Sequence, residues 1–252
     1  MPNKLLGQHF LKNNKILRIL ADSLGDIHNE IVIEIGGGTG NLTKFLLNAK
    51  KLLVYEIDKK LSGFLKKKFS NYKNIFIFNK DFLSANLKKF NHNFLIIGNI
   101  PYFITGKILR KIFNVNNYPK LAVLTLQKEY GEKILGNNGS NLLFCFIRNL
   151  AEAKKITIIK SKHFFPSPRV DSMAIKFLFH PQPLIPEIYK FEKFLNKIFH
   201  FNKKTIMNNL KEFYPNKIIY FDDKNLLFKR PHQLTFNDIY NIFYKIENEK
   251  NN

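Results

Sequence analysis

The densest chemistry in the chain is the run Gly98-Asn99-Ile100-Pro101-Tyr102-Phe103. It combines the amide oxygen of Asn99, a backbone carbonyl at Ile100 and the aromatic face of Tyr102. Proline fixes φ and bars a helix at the preceding residue, so Pro101 holds that carbonyl in place. Two acceptors beside a flat ring suit the exocyclic amine of an adenine. The lone pair of such an amine is delocalised into the ring. Acceptors against both N–H bonds let the nitrogen become pyramidal as it attacks. Tyr102 offers a surface for a base drawn out of its own stack. Asn, Pro and Gly also favour ordinary turns, so the run gains meaning from what precedes it.

Upstream lies Glu34-Ile35-Gly36-Gly37-Gly38-Thr39-Gly40. Glycines there let a ligand approach the backbone where a Cβ would clash. The dinucleotide fingerprint needs Gly at its first, third and sixth positions. Glycines at 36, 38 and 40 give GxGxG instead, which suits S-adenosylmethionine, a ligand with no pyrophosphate to cradle. Glu56 follows the next apolar run and can accept from both ribose hydroxyls; Asp58 is its nearest substitute. Asp81 follows the third run, where the adenine of such a ligand would lie. Further on, Phe164-Phe165-Pro166-Ser167-Pro168-Arg169-Val170-Asp171-Ser172 offers two aromatics on a Pro-braced loop, able to close the other side of a base. Packing alone also accounts for a Gly-rich turn or an aromatic hairpin connection.

The elements that must position these residues follow from periodicity. Apolar runs at 31–35, 52–57, 75–78, 94–97, 121–126, 151–159 and 172–179 predict seven strands. An apolar-periodic segment at 42–47 and helical patterns at 61–69, 107–113 and 127–135 alternate with them. That alternation argues for a mostly parallel sheet covered on both faces. The last two strands are joined by a loop alone, so an antiparallel pair is expected at the sheet edge. Three prolines in His180-Pro181-Gln182-Pro183-Leu184-Ile185-Pro186 mark a linker. Helical patterns at 191–199, 205–213 and 236–246 follow. The expected organisation is a domain over residues 1–182 and a small helical domain over 183–252.

Composition narrows the partner. The chain has 252 residues, 41 Lys and Arg against 19 Asp and Glu, and a formal charge of +22. Residues 1–180 hold 29 basic and 11 acidic residues; residues 181–252 hold 12 and 8. Such a surplus fits a polyanion, nucleic acid or an anionic membrane, although abundant Lys and Asn also follow from an AT-rich genome. The lone Cys145, in an apolar run, reads as a buried hydrophobe. No disulfide framework is available, which fits a reducing compartment. No Cys or His spacing resembles a metal site. No stretch approaches a membrane span, and residues 1–7 carry no secretory pattern. A cytoplasmic protein is expected.

As a set, these motifs resemble the KsgA family of rRNA adenine-N6 dimethyltransferases. Gly7-Gln8-His9-Phe10-Leu11, Tyr55-Glu56-Ile57-Asp58, Leu126-Gln127-Lys128-Glu129, Phe201-Asn202-Lys203-Lys204-Thr205 and Arg230-Pro231-His232-Gln233-Leu234 complete the pattern in family order. The resemblance implies a Rossmann-like class I S-adenosylmethionine-dependent methyltransferase fold with an antiparallel last strand and a helical C-terminal domain. It implies that His9 and Leu11 close over the cofactor, Gly36 and Gly38 face it, Glu56 takes the ribose and Asp81 the adenine. Asn99 would contact cofactor and target amine, with Pro101 bracing the turn and Tyr102 and Phe165 flanking the target base. The implied reaction is direct displacement: adenine N6 attacks the sulfonium methyl carbon, with no metal and no protein nucleophile. The implied substrate is a pair of adjacent adenosines near the 3′ end of small-subunit (16S) rRNA, in an assembling subunit met by a monomer. The alternatives are the macrolide-resistance relative acting on large-subunit rRNA, the organellar relative that also serves in transcription, and a non-catalytic assembly factor. His9 stands where Asn is frequent, Gly37 where Pro is common and Lys80 where Gly is common. Phe103 stands where a smaller or polar residue often follows the Tyr, and is the residue that would crowd an N6-methylated product. Lys107, Arg110, Lys111 and Arg169 are expected near RNA phosphate.

Overall fold

Apolar runs cut short by Gly, Asn and Lys form the strands, and capped amphipathic runs form the helices between them. The computed structural model describes residues 7–113, 118–216 and 224–248; residues 1–6, on which the expected lack of a leader largely rests, lie outside them. In chain order the elements are β1 (Phe10–Leu11), α1 (Asn14–Asp22), β2 (Ile31–Ile35), β3 (Lys51–Tyr55), α2 (Lys59–Lys68), β4 (Ile75–Phe78), β5 (Leu95–Asn99), α3 (Thr105–Phe113), β6 (Leu121–Gln127), α4 (Lys128–Leu135), α5 (Leu142–Leu150), β7 (Ala151–Ile159), β8 (Phe164–Phe165), β9 (Ser172–Phe179), α6 (Ile188–Ile198), α7 (Ile206–Phe213), α8 (Lys224–Phe228) and α9 (Phe236–Asn248). Among the described residues no helix is long and apolar enough to cross a membrane.

Seven strands form one sheet in the order β4-β3-β2-β5-β6-β9-β7. Neighbours from β4 to β6 run parallel, and β9 runs antiparallel to β6. Val32, Leu52, Val54 and Ile97 are fully buried within the sheet's core cluster. Burial on both faces is why these strands read as continuous apolar runs rather than alternating ones. The register pairs Ile35 with Tyr55 on one side and with Gly98 on the other. The residues next along the chain, Gly36, Glu56 and Asn99, therefore meet at one edge. That edge is the switch point where chain order reverses across β2, the usual place for a ligand in such sheets.

The chain divides into two compact units, residues 1–131 with 153–179 and residues 132–152 with 180–252. In the second, Phe191, Phe194 and Phe243 meet edge to face at 5.3 Å for each contact with Phe243, a favoured aromatic geometry. The reason residues 132–152 belong here is bonding to distant segments. Buried Asn149 accepts from Ile185 N–H at 2.6 Å and donates to the Ile185 carbonyl at 3.1 Å, pinning the proline run. Ser140 donates its amide to the His232 carbonyl and its hydroxyl to that of Leu234. Likewise Asn209 clamps the Phe201–Thr205 loop by three hydrogen bonds.

One local expectation is corrected, and one helix arises where the pattern predicts no element. The periodic segment at 42–47 forms only a single 3₁₀ turn, Thr43–Phe45. The apolar run around Cys145 is a helix, α5, capped by Asn141 accepting from Phe144 N–H at 2.9 Å. Its apolar residues fall on nearly every face, so no helical periodicity shows.

Candidate active site

The Gly-rich turn is held from beneath by Glu56. Gly36 and Gly38 adopt φ of +74° and +54°, the left-handed region that favours glycine. The Glu56 carboxylate accepts from Gly38 N–H at 2.7 Å and from Asp58 N–H at 2.9 Å. Burial raises its pKa, and these N–H bonds oppose that rise. Each carboxylate oxygen can accept twice, so Glu56 retains capacity for two hydroxyl donors. Asp58 does not duplicate it. Its side chain caps α2, accepting from Lys60 and Leu61 N–H. At Gly37 a Cβ would lie 2.4 Å from Val54 and 2.8 Å from Leu65. The room a proline would need there is filled by neighbouring side chains.

One cavity of about 260 Å³ brings together His9, Gly36, Gly38, Glu56, Asp81, Asn99, Pro101 and Tyr102. Asn99 donates its amide N–H to the His9 carbonyl at 2.8 Å. A carbonyl only accepts, so Nδ2 is committed there and Oδ1 remains the acceptor. The Tyr102 hydroxyl bonds the hydroxyl of fully buried Ser172 at 2.7 Å. Ser172 thus fixes the ring by an interaction that its place at the end of the aromatic loop did not announce. Asp81 accepts from Leu83 N–H at 2.8 Å, starting the 3₁₀ turn Phe82–Ser84.

Other expected positions lie apart. Leu11 is buried in the core cluster and does not line the cavity. Its carbonyl accepts from Asn41 at 3.0 Å. Phe165 pairs with Phe10 between β8 and β1, is half exposed, and lies outside the lining, with Lys12 Nζ 4.0 Å over its ring. Lys111 is tied to the chain as well as lining a groove. Its ammonium donates to the Leu83 carbonyl at 2.8 Å beside Asp81, and burial lowers its pKa. Phe103 and Lys80, both departures from the family pattern, line the cavity.

Beneath the turn, Glu34 is fully buried. Burial pushes its carboxyl up to about 8, the Thr43 hydroxyl opposing and the Glu56 carboxylate adding. Glu34 is therefore a neutral acid at pH 7. In the unfolded chain it ionises near 4.5. Its contribution is thus fully present below that pH and is lost as pH rises toward and through about 8. Urea midpoints across this window should fall with pH, by up to about 1.4 kcal/mol per unit from this group. Glu34→Gln should flatten that fall; an unchanged slope would refute the assignment.

Residues 2–245 match the family model described as ribosomal RNA adenine dimethylase. The chain belongs to the ribosomal RNA adenine dimethylase family. Among this family's members, ribosomal RNA small subunit methyltransferase A of Mesomycoplasma hyopneumoniae strain 232 is 40% identical over 215 residues, covering 83% of this chain and 82% of the relative. The protein of that name from Mycoplasma mobile is 36% identical, covering 96% and 97%. A solved dimethyladenosine transferase from Plasmodium falciparum superposes with a TM-score of 0.81 at 27% identity, covering 96% of this chain and 97% of that one. The 23S rRNA methyltransferase ErmE superposes at 0.82 with 24% identity over 94% and 99%, a likeness of fold.

Proposed function

We propose that this member of the adenine dimethylase family uses S-adenosylmethionine to dimethylate N6 of two adjacent adenosines near the 3′ end of small-subunit (16S) rRNA. It acts as a cytoplasmic monomer on an assembling subunit. The observation that carries the reading is Asn99: one N–H of its amide donates to the His9 carbonyl, which orients its oxygen as an acceptor in the same cavity as Glu56 and Asp81. The glycines with positive φ and the buried, backbone-bonded Glu56 fit the cofactor. Gly36 and Gly38 would face its methionine part, Glu56 its ribose and Asp81 its adenine, with the His9–Leu11 segment closing over it. When bound, it supplies an activated methyl group.

The chain's own residues do the rest. Asn99 Oδ1 and the Ile100 carbonyl accept from the target amine and localise its lone pair. Pro101 keeps the turn rigid. Tyr102, anchored by Ser172, and Phe165 flank the target base. Positioning and exclusion of water supply the acceleration. The small-subunit reading is favoured over the large-subunit one by the names of the sequence relatives.

Labelled methyl groups should transfer to immature small-subunit particles, and mass spectrometry should find dimethyladenosine. Transfer only to large-subunit rRNA would overturn the reading. Persistent monomethyl product would place a block at Phe103, which borders the cavity.

The RNA strand has a second feature to follow. A groove of about 460 Å³ is lined by Lys88, Lys107, Arg110 and Lys111 over Ala85 and Leu87. It shares α3 and the turn after Asp81 with the cavity. Lys107→Glu with Arg110→Glu should weaken RNA binding about tenfold or more and lower the salt slope by about two. Filter binding at several salt concentrations with an unchanged slope would exclude this face.

A further inference from the structure

Leu83 is held by both of its backbone groups. Its N–H donates to the Asp81 carboxylate at 2.8 Å, and its carbonyl accepts from the Lys111 ammonium at 2.8 Å. Around it the turn closes on itself. The Ser84 hydroxyl donates to the Asp81 carbonyl at 2.7 Å, and the Ala85 N–H donates to that of Phe82 at 2.9 Å. Of these four bonds, only the one from Lys111 reaches in from elsewhere, 28 residues along the chain.

The turn is also a wall of the cavity. Asp81 and Phe82 line the space that holds Glu56 and Asn99. Phe82 is buried, its ring edge-on to Tyr55 at 5.9 Å. Helix α3 presents the cation from a rigid base. Its Ile108, Leu109 and Ile112 are buried, and Ile108 reaches the same cavity. Lys111 comes three residues after Ile108, so both lie on one side of the helix. Burial lowers the Lys111 pKa and the Asp81 carboxylate opposes the fall, so the two charges lie within reach of each other.

This arrangement links the cation to the aim of the carboxylate. Asp81 is bound to the Leu83 N–H, so its carboxylate turns with that peptide. Lys111 fixes the next peptide plane through the Leu83 carbonyl. The lone pairs left on Asp81 meet a ligand only as well as the turn is held, because a hydrogen bond weakens steeply as its angle closes. An ammonium has three donors. One spent on Leu83 leaves two for the groove that Lys111 also lines.

We propose that Lys111 is a positioning residue for cofactor selection: by holding the Leu83 carbonyl it aims the Asp81 carboxylate at the exocyclic amine of the cofactor's adenine. The proposal rests on the methyl-transfer reading, which gives Asp81 the adenine. It adds a cofactor-side role to a residue that the sequence places only near RNA phosphate.

The test compares S-adenosylhomocysteine with its inosine analogue, in which a carbonyl replaces that amine. Calorimetric titration of both ligands covers wild type, Lys111→Met, Lys111→Gln and Lys111→Arg. Wild type should prefer the adenosine ligand about a hundredfold, since a carboxylate binds an amine donor and repels a carbonyl. Lys111→Met keeps the apolar stem and loses the donor. Lys111→Gln is too short to reach the carbonyl and repeats the test on a polar side chain. In both, the preference should fall about tenfold through weaker binding of the adenosine ligand, with the inosine Kd within about twofold of wild type. Lys111→Arg, still a donor, should retain most of the preference. Equal weakening of both ligands would mark a merely structural tie and overturn the proposal. So would an unchanged preference in Lys111→Met and Lys111→Gln, its loss in Lys111→Arg, or equal binding of the two ligands by wild type. Failure of the methyl-transfer reading shows separately, as wild type that binds no S-adenosylmethionine or transfers no methyl group to small-subunit particles.

Discussion

Asn99→Ala should cut methyl transfer by about a thousandfold while cofactor binding survives in part. The side chain has two separable tasks. Its nitrogen holds the N-terminal strap, residues 7–13, through the His9 carbonyl, and its oxygen accepts from the target amine. The alanine removes both. Loss of one preorganised hydrogen-bond partner at a reacting group costs roughly 10²–10³ in rate, and release of the strap adds to it. Asn99→Asp separates the tasks. It keeps an acceptor oxygen but presents a carboxylate to the His9 carbonyl, so the strap should detach. Single-turnover transfer with saturating cofactor measures the loss, and an Asn99→Ala enzyme with appreciable activity would sink the acceptor role.

Glu56→Ala should weaken cofactor binding about a hundredfold and lower thermal stability. In the folded chain the carboxylate satisfies Gly38 and Asp58 N–H within a site only 4% exposed. Removing it strands two backbone donors, at about 1–3 kcal/mol each. For a chain of this size that is about 2–4 °C of melting temperature per kcal/mol. The Gly38 turn would then lose the anchor that holds its positive φ against the ligand. Glu56→Gln keeps an acceptor for one of the two donors and loses the charge. It should fold nearly as well and bind cofactor about tenfold more weakly. Calorimetric titration with the cofactor, alongside melting curves, distinguishes the loop-holding task from the ligand-holding one. Unaltered affinity in Glu56→Ala would remove Glu56 from the ribose site.

Much of this architecture is local in origin. Each parallel strand is a short apolar run, and the order of strands and helices leaves few topologies open. The glycines at 36 and 38 were legible because their spacing matches a backbone need, and both adopt positive φ. Glu56 and Asn99 were legible because they end or follow strands whose register brings those ends together. Helix α5 was not, because an almost wholly apolar segment carries no contrast between faces. Asp58 is ambiguous in sequence for a different reason. An acid two residues past a strand suits a ribose and a helix cap equally, and only the hydrogen bonds to Lys60 and Leu61 decide between them. The bond from the Lys111 ammonium to the Leu83 carbonyl is likewise invisible to spacing.

Residue order alone was enough for the sheet, the glycine turn, the carboxylate beside it and the Asn-Ile-Pro-Tyr turn, since each depends on neighbours within a few positions. Tertiary structure decided everything that joins them. Asn99 meets His9 across 90 residues and Tyr102 meets Ser172 across 70. The His9 ring reaches Tyr102 only because the strap is tied to a loop more than 150 residues away. The neutral state of Glu34 is likewise set by complete burial beneath the turn. Periodicity and spacing encode which face of an element turns inward. They do not encode which distant groups meet there, or how far water is excluded.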